Sequence, residues 1–187
     1  NLDVTATGGP TDFHFDSDGN LLVVSLSNQR VKKFQGPGGA TPGQFIGNAT
    51  DAGGLDVPFG LALRLNGEIW VSDLGANGFT DGTDDSIKRF SSAGVLLNTY
   101  TSTLLNQVRD IDFGPDGMLY IANQGNNNIL RFDPTTALFS VFVSAGQGGL
   151  SAPTYLDFYS IPEPSTILLL AAGGWLLWRQ RRMFFRK

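Results

Sequence analysis

The chain has 187 residues, 41% of them hydrophobic, so it is long enough to bury a core of its own. It contains no cysteine, which excludes disulfides, thiolate catalysis and cysteine-ligated zinc. Residues 1–178 hold all seventeen acidic residues but only eight of the thirteen basic ones, and we do not expect a body with that net charge of −9 to bind nucleic acid.

One sequence pattern occurs three times along the body. Each copy has an apolar strand, a turn with glycine, a second strand, a polar link and a third strand that ends in phenylalanine. The copies are residues 10–34, 58–90 and 108–132, and their turn glycines lie 48 and 50 residues apart. A repeat of this length with several strands is typical of propeller blades, and residues 153–158 begin a fourth copy.

Turn dipeptides join the first two strands of each copy. They favour two-residue hairpins with positive φ at both turn positions: Asp18-Gly19, Asn66-Gly67 and Asp116-Gly117. Residues 95–100 and 138–143 are candidates for fourth strands, with residues 44–46 the best candidate in the first copy. The second copy is longer than the others, which places an eight-residue insertion at residues 78–85.

The predicted fold is therefore all-β, a partial and open β-propeller of about three four-stranded blades followed by a C-terminal hydrophobic helix. The predicted propeller domain is 1–160 and the predicted tail is 161–187. Blades are expected at about residues 10–57, 58–107 and 108–152, with a fourth begun at 153. Three blades do not close a ring, so we expect an exposed sheet edge. Truncation of a six-bladed parent is the simplest explanation, and self-association of the open edges is the alternative.

The second copy carries the clearest family resemblance. It reads Pro-Phe-Gly-Leu at residues 58–61, Gly-Glu-Ile-Trp-Val-Ser-Asp at 67–73 and Ile-Lys-Arg-Phe at 87–90. This pattern resembles the NHL repeat, the blade unit of NHL and SMP-30-like propellers, although Ser25 replaces the usual aspartate in the first copy. The resemblance implies a binding scaffold more often than an enzyme, because a minority of such propellers carry a metal-dependent active site.

No catalytic residue is predicted, because no nucleophile elbow, phosphate loop or pair of metal-binding histidines occurs in the sequence. His14 is the only histidine, and Ala62, Asp112 and Asp157 hold its place in later copies. Strand alternation places these residues opposite the phenylalanine and leucine core positions. They are either simple polar strand residues or, through His14, Asp112 and Asp157, an axial metal site.

Two acidic loops offer oxygen ligands of the kind that calcium takes. One is the insertion, with Asp81, Asp84 and Asp85, which is either an ordinary acidic loop or a weak calcium loop, since neither loop completes a known calcium motif. The other is the first hairpin, where Asp16, Asp18 and Asn20 are better explained as turn residues. No other cofactor is predicted.

The tail combines an apolar run with a basic end. Residues 167–178 contain no charge but measure only about 18 Å as a helix, less than the roughly 30 Å of a bilayer core. Counted from Ser165 to Phe185, with snorkelling arginines, the segment reaches roughly 31 Å. We therefore predict a membrane segment, and a buried C-terminal helix of the body is the alternative.

The order of Pro162-Glu163-Pro164, an apolar stretch and the arginines at 179, 181 and 182 resembles the PEP-CTERM sorting signal of Gram-negative bacteria. The predicted sorting residues are Pro162, Glu163, Pro164, Arg179, Arg181 and Arg182. The resemblance implies that an exosortase recognises the Pro-Glu-Pro segment and processes the chain nearby. It also implies anchoring in the inner membrane before processing, and then the cell surface or extracellular matrix. Such export needs an N-terminal signal peptide, which residues 1–5 do not resemble, so it has been removed or the chain is a fragment.

Two functional hypotheses follow from the sequence. The first is an exported propeller without catalytic activity that binds polysaccharide or another protein at the cell surface or in exopolysaccharide. The second is a metal-dependent hydrolase or lyase of the SMP-30-like kind, of which this chain is a fragment.

Overall fold

The computed structural model describes residues 9–80 and 82–158, which form three four-stranded sheets. Blade 1 contains β1 (Pro10–Phe15), β2 (Leu21–Ser25), β3 (Arg30–Phe34) and β4 (Phe45–Asn48). Blade 2 contains β5 (Pro58–Leu63), β6 (Ile69–Asp73), β7 (Ser86–Phe90) and β8 (Leu96–Thr101). Blade 3 contains β9 (Val108–Phe113), β10 (Leu119–Asn123), β11 (Asn128–Asp133) and β12 (Leu138–Val143). Two short 3-10 helices lie at Gln124–Asn126 and Gln147–Gly149.

Each blade is an antiparallel meander, in which every strand pairs with the next one along the chain. The predicted all-β fold with three four-stranded blades is confirmed, and strands occupy the three candidate fourth-strand positions. The predicted C-terminal hydrophobic helix lies outside the described residues. The division into domains at residue 160 stays a prediction.

The hairpin turns differ from the expected two-residue type. Only the glycines, such as Gly19 and Gly117, have positive φ, whereas the preceding aspartates do not. The N–H of Gly19 donates to the carbonyl of Asp16 at 2.9 Å, and the N–H of Asp16 donates to the carbonyl of Asn20 at 2.9 Å. These bonds describe a type I turn followed by a glycine in the left-handed conformation. The loop is longer than a two-residue hairpin and needs positive φ at only one residue.

The insertion in blade 2 is present as predicted. Twelve residues separate β6 from β7, whereas four separate the corresponding strands of blades 1 and 3. The extra residues extend the link between the second and third strands, on the side where β5 begins.

The hydrophobic core lies between blades rather than within them. Leu22, Val24 and Val31 of blade 1 pack against Leu61 and Phe90 of blade 2. The second interface centres on Trp70, which is fully buried. Its ring stacks on Tyr100 at 5.7 Å and contacts the ring of Phe113 edge-on at 5.6 Å. Blade 2 thus packs one face on blade 1 and the other on blade 3.

The expectation that the phenylalanines of the first strand are core residues is wrong for blade 1. Phe13 and Phe15 are 62% and 57% exposed. Leu61 and Ile111, which hold the position of Phe13 in blades 2 and 3, are fully buried. The difference arises because no described blade covers that face of blade 1.

Candidate functional site

Carboxylates on the first strands of blades 1 and 3 accept hydrogen bonds from the next first-strand segment along the chain. Strands β1, β5 and β9 contact one another in that order. Asp12 accepts a hydrogen bond from the N–H of Leu61 at 2.7 Å, and Asp110 accepts one from the N–H of Leu156 at 2.9 Å. The second oxygen of each accepts the N–H of the next residue in its own strand. Asp12 therefore joins blade 1 to blade 2, and Asp110 joins blade 3 to the segment that follows it, roles that the sequence did not reveal.

Burial raises the pKa of three aspartates on the first strands, Asp12, Asp110 and Asp112. It raises the pKa of Asp110 to about 7, against the hydrogen bond from Leu156 and with the help of the nearby Asp12 carboxylate. Burial also raises the pKa of Asp12 and of Asp112, while His14 acts to lower both. These aspartates are therefore hydrogen-bond acceptors, and one of them, Asp110, has a pKa near neutral pH.

The structure does not gather His14, Asp112 and Asp157 into a metal site. Among residues 9–80 and 82–158, no three His, Asp or Glu side chains are placed to hold a metal ion. Asp112 instead accepts the N–H groups of Phe113 at 2.7 Å and Phe158 at 3.1 Å. This arrangement agrees with the interpretation of these residues as polar strand positions.

A cleft of about 600 Å³ opens between blades 1 and 2. One wall carries the exposed ring of Phe15, and polar groups around it come from His14, Asp18, Asn48 and Ser92. The cleft therefore combines one exposed aromatic ring with many polar and charged groups, which can contact a polar ligand or a segment of a polar polymer.

Charged side chains at the same cleft are held in place by partners. Lys33 Nζ lies 2.7 Å from Asp16 Oδ2. The Arg64 guanidinium lies over the ring of Phe113 at 4.6 Å and donates to the carbonyl of Gly117 at 3.1 Å. Lys33, Asp16 and Arg64 are thus held in place at the cleft. Sequence reasoning missed the cleft because its lining residues come from three blades and lie far apart in the sequence.

The predicted calcium loop is only partly within the described residues, since Asp81 lies outside them. Asp84 accepts the N–H of Asn77 at 3.0 Å, and Asp85 accepts the N–H of Val108 at 2.8 Å. The other oxygen of each carboxylate is buried without a hydrogen-bond partner. Burial raises the pKa of Asp85 to about 6, and the neighbouring Asp84 adds to this rise.

The acidic first hairpin is a turn in the structure. One oxygen of Asp16 accepts the N–H groups of Asp18 at 3.0 Å and Asn20 at 2.8 Å. Its other oxygen pairs with Lys33. Both oxygens of Asp16 are thereby used within the protein, which agrees with the turn interpretation.

The tail matches a known sorting motif. Residues 160–182 match the family model of the PEP-CTERM protein-sorting motif. The matched range begins two residues after the described body ends and includes the six predicted sorting residues, which lie outside the described residues: Pro162, Glu163, Pro164, Arg179, Arg181 and Arg182. A PEP-CTERM motif indicates export, membrane-anchored sorting and processing by an exosortase. Over residues 9–80 and 82–158, no helix has the length and apolar character needed to span a membrane.

Solved structures similar to the body are β-propeller proteins. One is the nidogen/laminin complex, with 18% identity, a TM-score of 0.57, and coverage of 72% of this chain and 48% of that one. Another is virginiamycin B lyase from Staphylococcus aureus, with 18% identity, a TM-score of 0.56, and coverage of 75% and 43%. A third is a putative gluconolactonase, with 17% identity, a TM-score of 0.55, and coverage of 76% and 51%.

These similarities show the fold alone. The chain spans about half of the length of the solved structures that it matches, or less. Comparison with curated proteins gives no match.

Proposed function

We propose that the chain is an exported binding or scaffold protein of the cell surface or exopolysaccharide. In this proposal an exosortase recognises Pro162, Glu163 and Pro164, while the arginines at 179, 181 and 182 stop the tail at the cytoplasmic face of the inner membrane. The observation that carries the proposal is the sorting motif directly after a propeller body.

Processing is tested by expressing the full chain, with a secretion signal, in a Gram-negative host that contains an exosortase. Mass spectrometry of the released protein then identifies its C-terminus. We expect a new C-terminus near Pro162, and loss of processing in the Glu163→Ala variant. Pro134→Ala, in the turn between β11 and β12, is the matched control outside the motif. An intact Lys187 in released protein contradicts the proposal.

The cleft between blades 1 and 2 is the proposed ligand site, and its ligand class is polysaccharide. Its exposed Phe15 ring offers a flat apolar surface for the carbon face of a sugar. The side chains of Asn48 and Asp18 offer partners for sugar hydroxyls. A protein ligand is the other outcome that the sequence hypothesis allows.

This assignment is tested by retention of the protein on exopolysaccharide from the same host. We expect Phe15→Ala and Asn48→Ala to lower retention severalfold. Phe142→Ala is the control, because this phenylalanine is similarly exposed, at 53% against 57% for Phe15, but belongs to blade 3. Equal retention of all three variants and the parent contradicts a site in the cleft.

We also propose that calcium binds weakly beside Asp84 and Asp85. The support is the pair of buried carboxylate oxygens without hydrogen-bond partners. Calcium should raise the unfolding temperature of the parent but not that of the Asp84→Asn variant. An unchanged unfolding temperature in the parent contradicts the proposal.

The alternative function is a metal-dependent hydrolase or lyase. The observation in its favour is that His14 and Asp112 line the same cleft. Tight binding of zinc or calcium that is lost in His14→Ala would favour it over the scaffold function.

A further inference from the structure

Residues 153–158, called the strap here, join the last blade to the sorting motif. The strap runs beside β9 and holds the place that a first strand of a following blade would take. The N–H of Asp110 donates to the carbonyl of Thr154 at 3.3 Å. In return, Leu156 donates its N–H to Asp110 Oδ2 at 2.9 Å, and Phe158 donates its N–H to Asp112 Oδ2 at 3.1 Å.

Side chains hold the strap as well. The Nε2 of Gln124 donates to the hydroxyl of Thr154 at 3.1 Å. The ring of Phe158 lies 4.9 Å from that of Tyr120, which is 93% buried. Trp70 and Phe113 make the equivalent contact between blades 2 and 3. The strap is thus docked through the same kind of interface that joins the blades.

The docked strap limits the reach of the sorting motif. Phe158 precedes Pro162 by four residues, which span at most about 14 Å when fully extended. An enzyme that processes the chain near Pro162 must accommodate the adjacent body within that distance. Release of the six strap residues would add about 20 Å of free chain.

We propose that docking of the strap on blade 3 restrains processing of the sorting motif. This inference rests on the proposed function and concerns the rate of the same processing step. The rate of processing is then proportional to the fraction of molecules in which the strap is undocked, as for proteolysis of a locally opened segment.

The test measures the fraction of chain processed over time in an exosortase-containing host. Asp112→Ala removes the acceptor of the Phe158 N–H, and Phe158→Ala removes the contact with Tyr120. Loss of one such hydrogen bond changes a local equilibrium by about fivefold, so we expect processing to accelerate by about that factor. Asp51→Ala, an exposed loop aspartate before blade 2, is the matched control and should leave the rate unchanged.

A second variant separates reach from other effects. Six Gly/Ser residues inserted after Phe158 lengthen the lead-in but keep every strap contact, and should accelerate processing as strap release does. Hydrogen exchange of the amides of Leu156 and Phe158 reports docking independently, and it should rise in Asp112→Ala but not in the insertion variant.

The possible outcomes are distinct. Faster exchange in Asp112→Ala and Phe158→Ala without faster processing overturns the strap proposal and leaves the proposed function standing. Acceleration by the insertion alone also overturns it, because docking would then not control reach. If no form is processed, including the parent, the proposed function fails and the strap proposal fails with it.

Discussion

Blades 2 and 3 use different side chains to fix the loop that precedes their first strands. In blade 2, Asp73 ends the second strand and accepts the N–H groups of Asp56 at 2.9 Å and Val57 at 2.7 Å. In blade 3, Asn123 holds that position and accepts the N–H of Asn106 at 2.7 Å. Both side chains are fully buried, so the loop before the first strand is fixed from inside the blade in each case.

The difference extends to the neighbouring strand. Lys88 lies opposite Val71, and its Nζ is 2.6 Å from Asp73 Oδ2. Leu130 holds the corresponding place opposite Ile121. A charged pair in blade 2 is thus replaced by uncharged residues in blade 3, so we expect the two positions to be coupled in these blades.

Breaking the pair in blade 2 should lower stability the most. Lys88→Met leaves the Asp73 carboxylate buried and without its cation, which should lower the free energy of unfolding by about 3–5 kcal/mol. Urea unfolding of the full chain in mild detergent measures this loss. The double variant Asp73→Asn with Lys88→Leu copies blade 3 and should recover most of the stability. A double variant as unstable as Lys88→Met would show that the two positions are not coupled.

The reverse change in blade 3 should cost less but follow the same logic. Asn123 Nδ2 donates to the carbonyl of Leu104 at 2.9 Å and to Asn128 Oδ1 at 2.8 Å. Asn123→Asp replaces this donor by a buried charge, so we expect a loss of about 2–3 kcal/mol. Adding Leu130→Lys should restore part of it in the same unfolding assay. No recovery would mean that the loop of blade 3 cannot accept the chemistry of blade 2.

The repeat made the blades predictable, but the contacts between them were less so. Gly67 and its counterparts marked the hairpins, and the length of the second copy located the insertion, because both signals are local in sequence. The residues that join blades lie nearly fifty positions apart, as Asp12 and Leu61 do. Strand alternation identified the two faces of β1, but it did not show which face lacks a neighbour.

The functional residues show the same contrast between signals that are local in sequence and contacts between distant residues. The sorting motif is a linear signal, so Pro162, Glu163 and Pro164 could be named from the sequence. The cleft beside Phe15 is lined by residues of three blades, and no single segment encodes it. The turn role of Asp16 was predicted because a hairpin uses its own backbone N–H groups.

A buried acid in blade 3 should make stability depend on pH. The pKa of Asp110 is about 7 because of burial, above its ordinary value of 3.8, so the folded protein binds more protons than the unfolded chain between pH 4 and 7. Stability therefore falls as pH rises through this window and levels off above about pH 7. In blade 2 the buried Asp73 carboxylate is paired with Lys88, whereas in blade 3 the buried Asp110 carboxyl binds a proton below about pH 7.

We expect unfolding at pH 6 to require on the order of 1 kcal/mol more free energy than at pH 8. Thermal unfolding at the two pH values measures this difference. Asp110→Asn should remove most of it, and the remainder should come from Asp85, whose pKa is about 6 because of burial. A parent protein that is equally stable, or less stable, at pH 6 would contradict this account.

The smallest effect is expected from the ion pair in blade 1, which tests whether burial sets the cost of losing a lysine. Lys33 and Asp16 are nearly as close as the pair in blade 2, at 2.7 Å against 2.6 Å, but their side chains are 31% and 16% exposed, against 12% and 0% for Lys88 and Asp73. Water can solvate the carboxylate after Lys33→Met, so the loss should be less than about 1 kcal/mol and should shrink further at high salt. Urea unfolding beside Lys88→Met gives the comparison directly. Equal losses in the two variants would mean that distance, and not burial, governs these pairs.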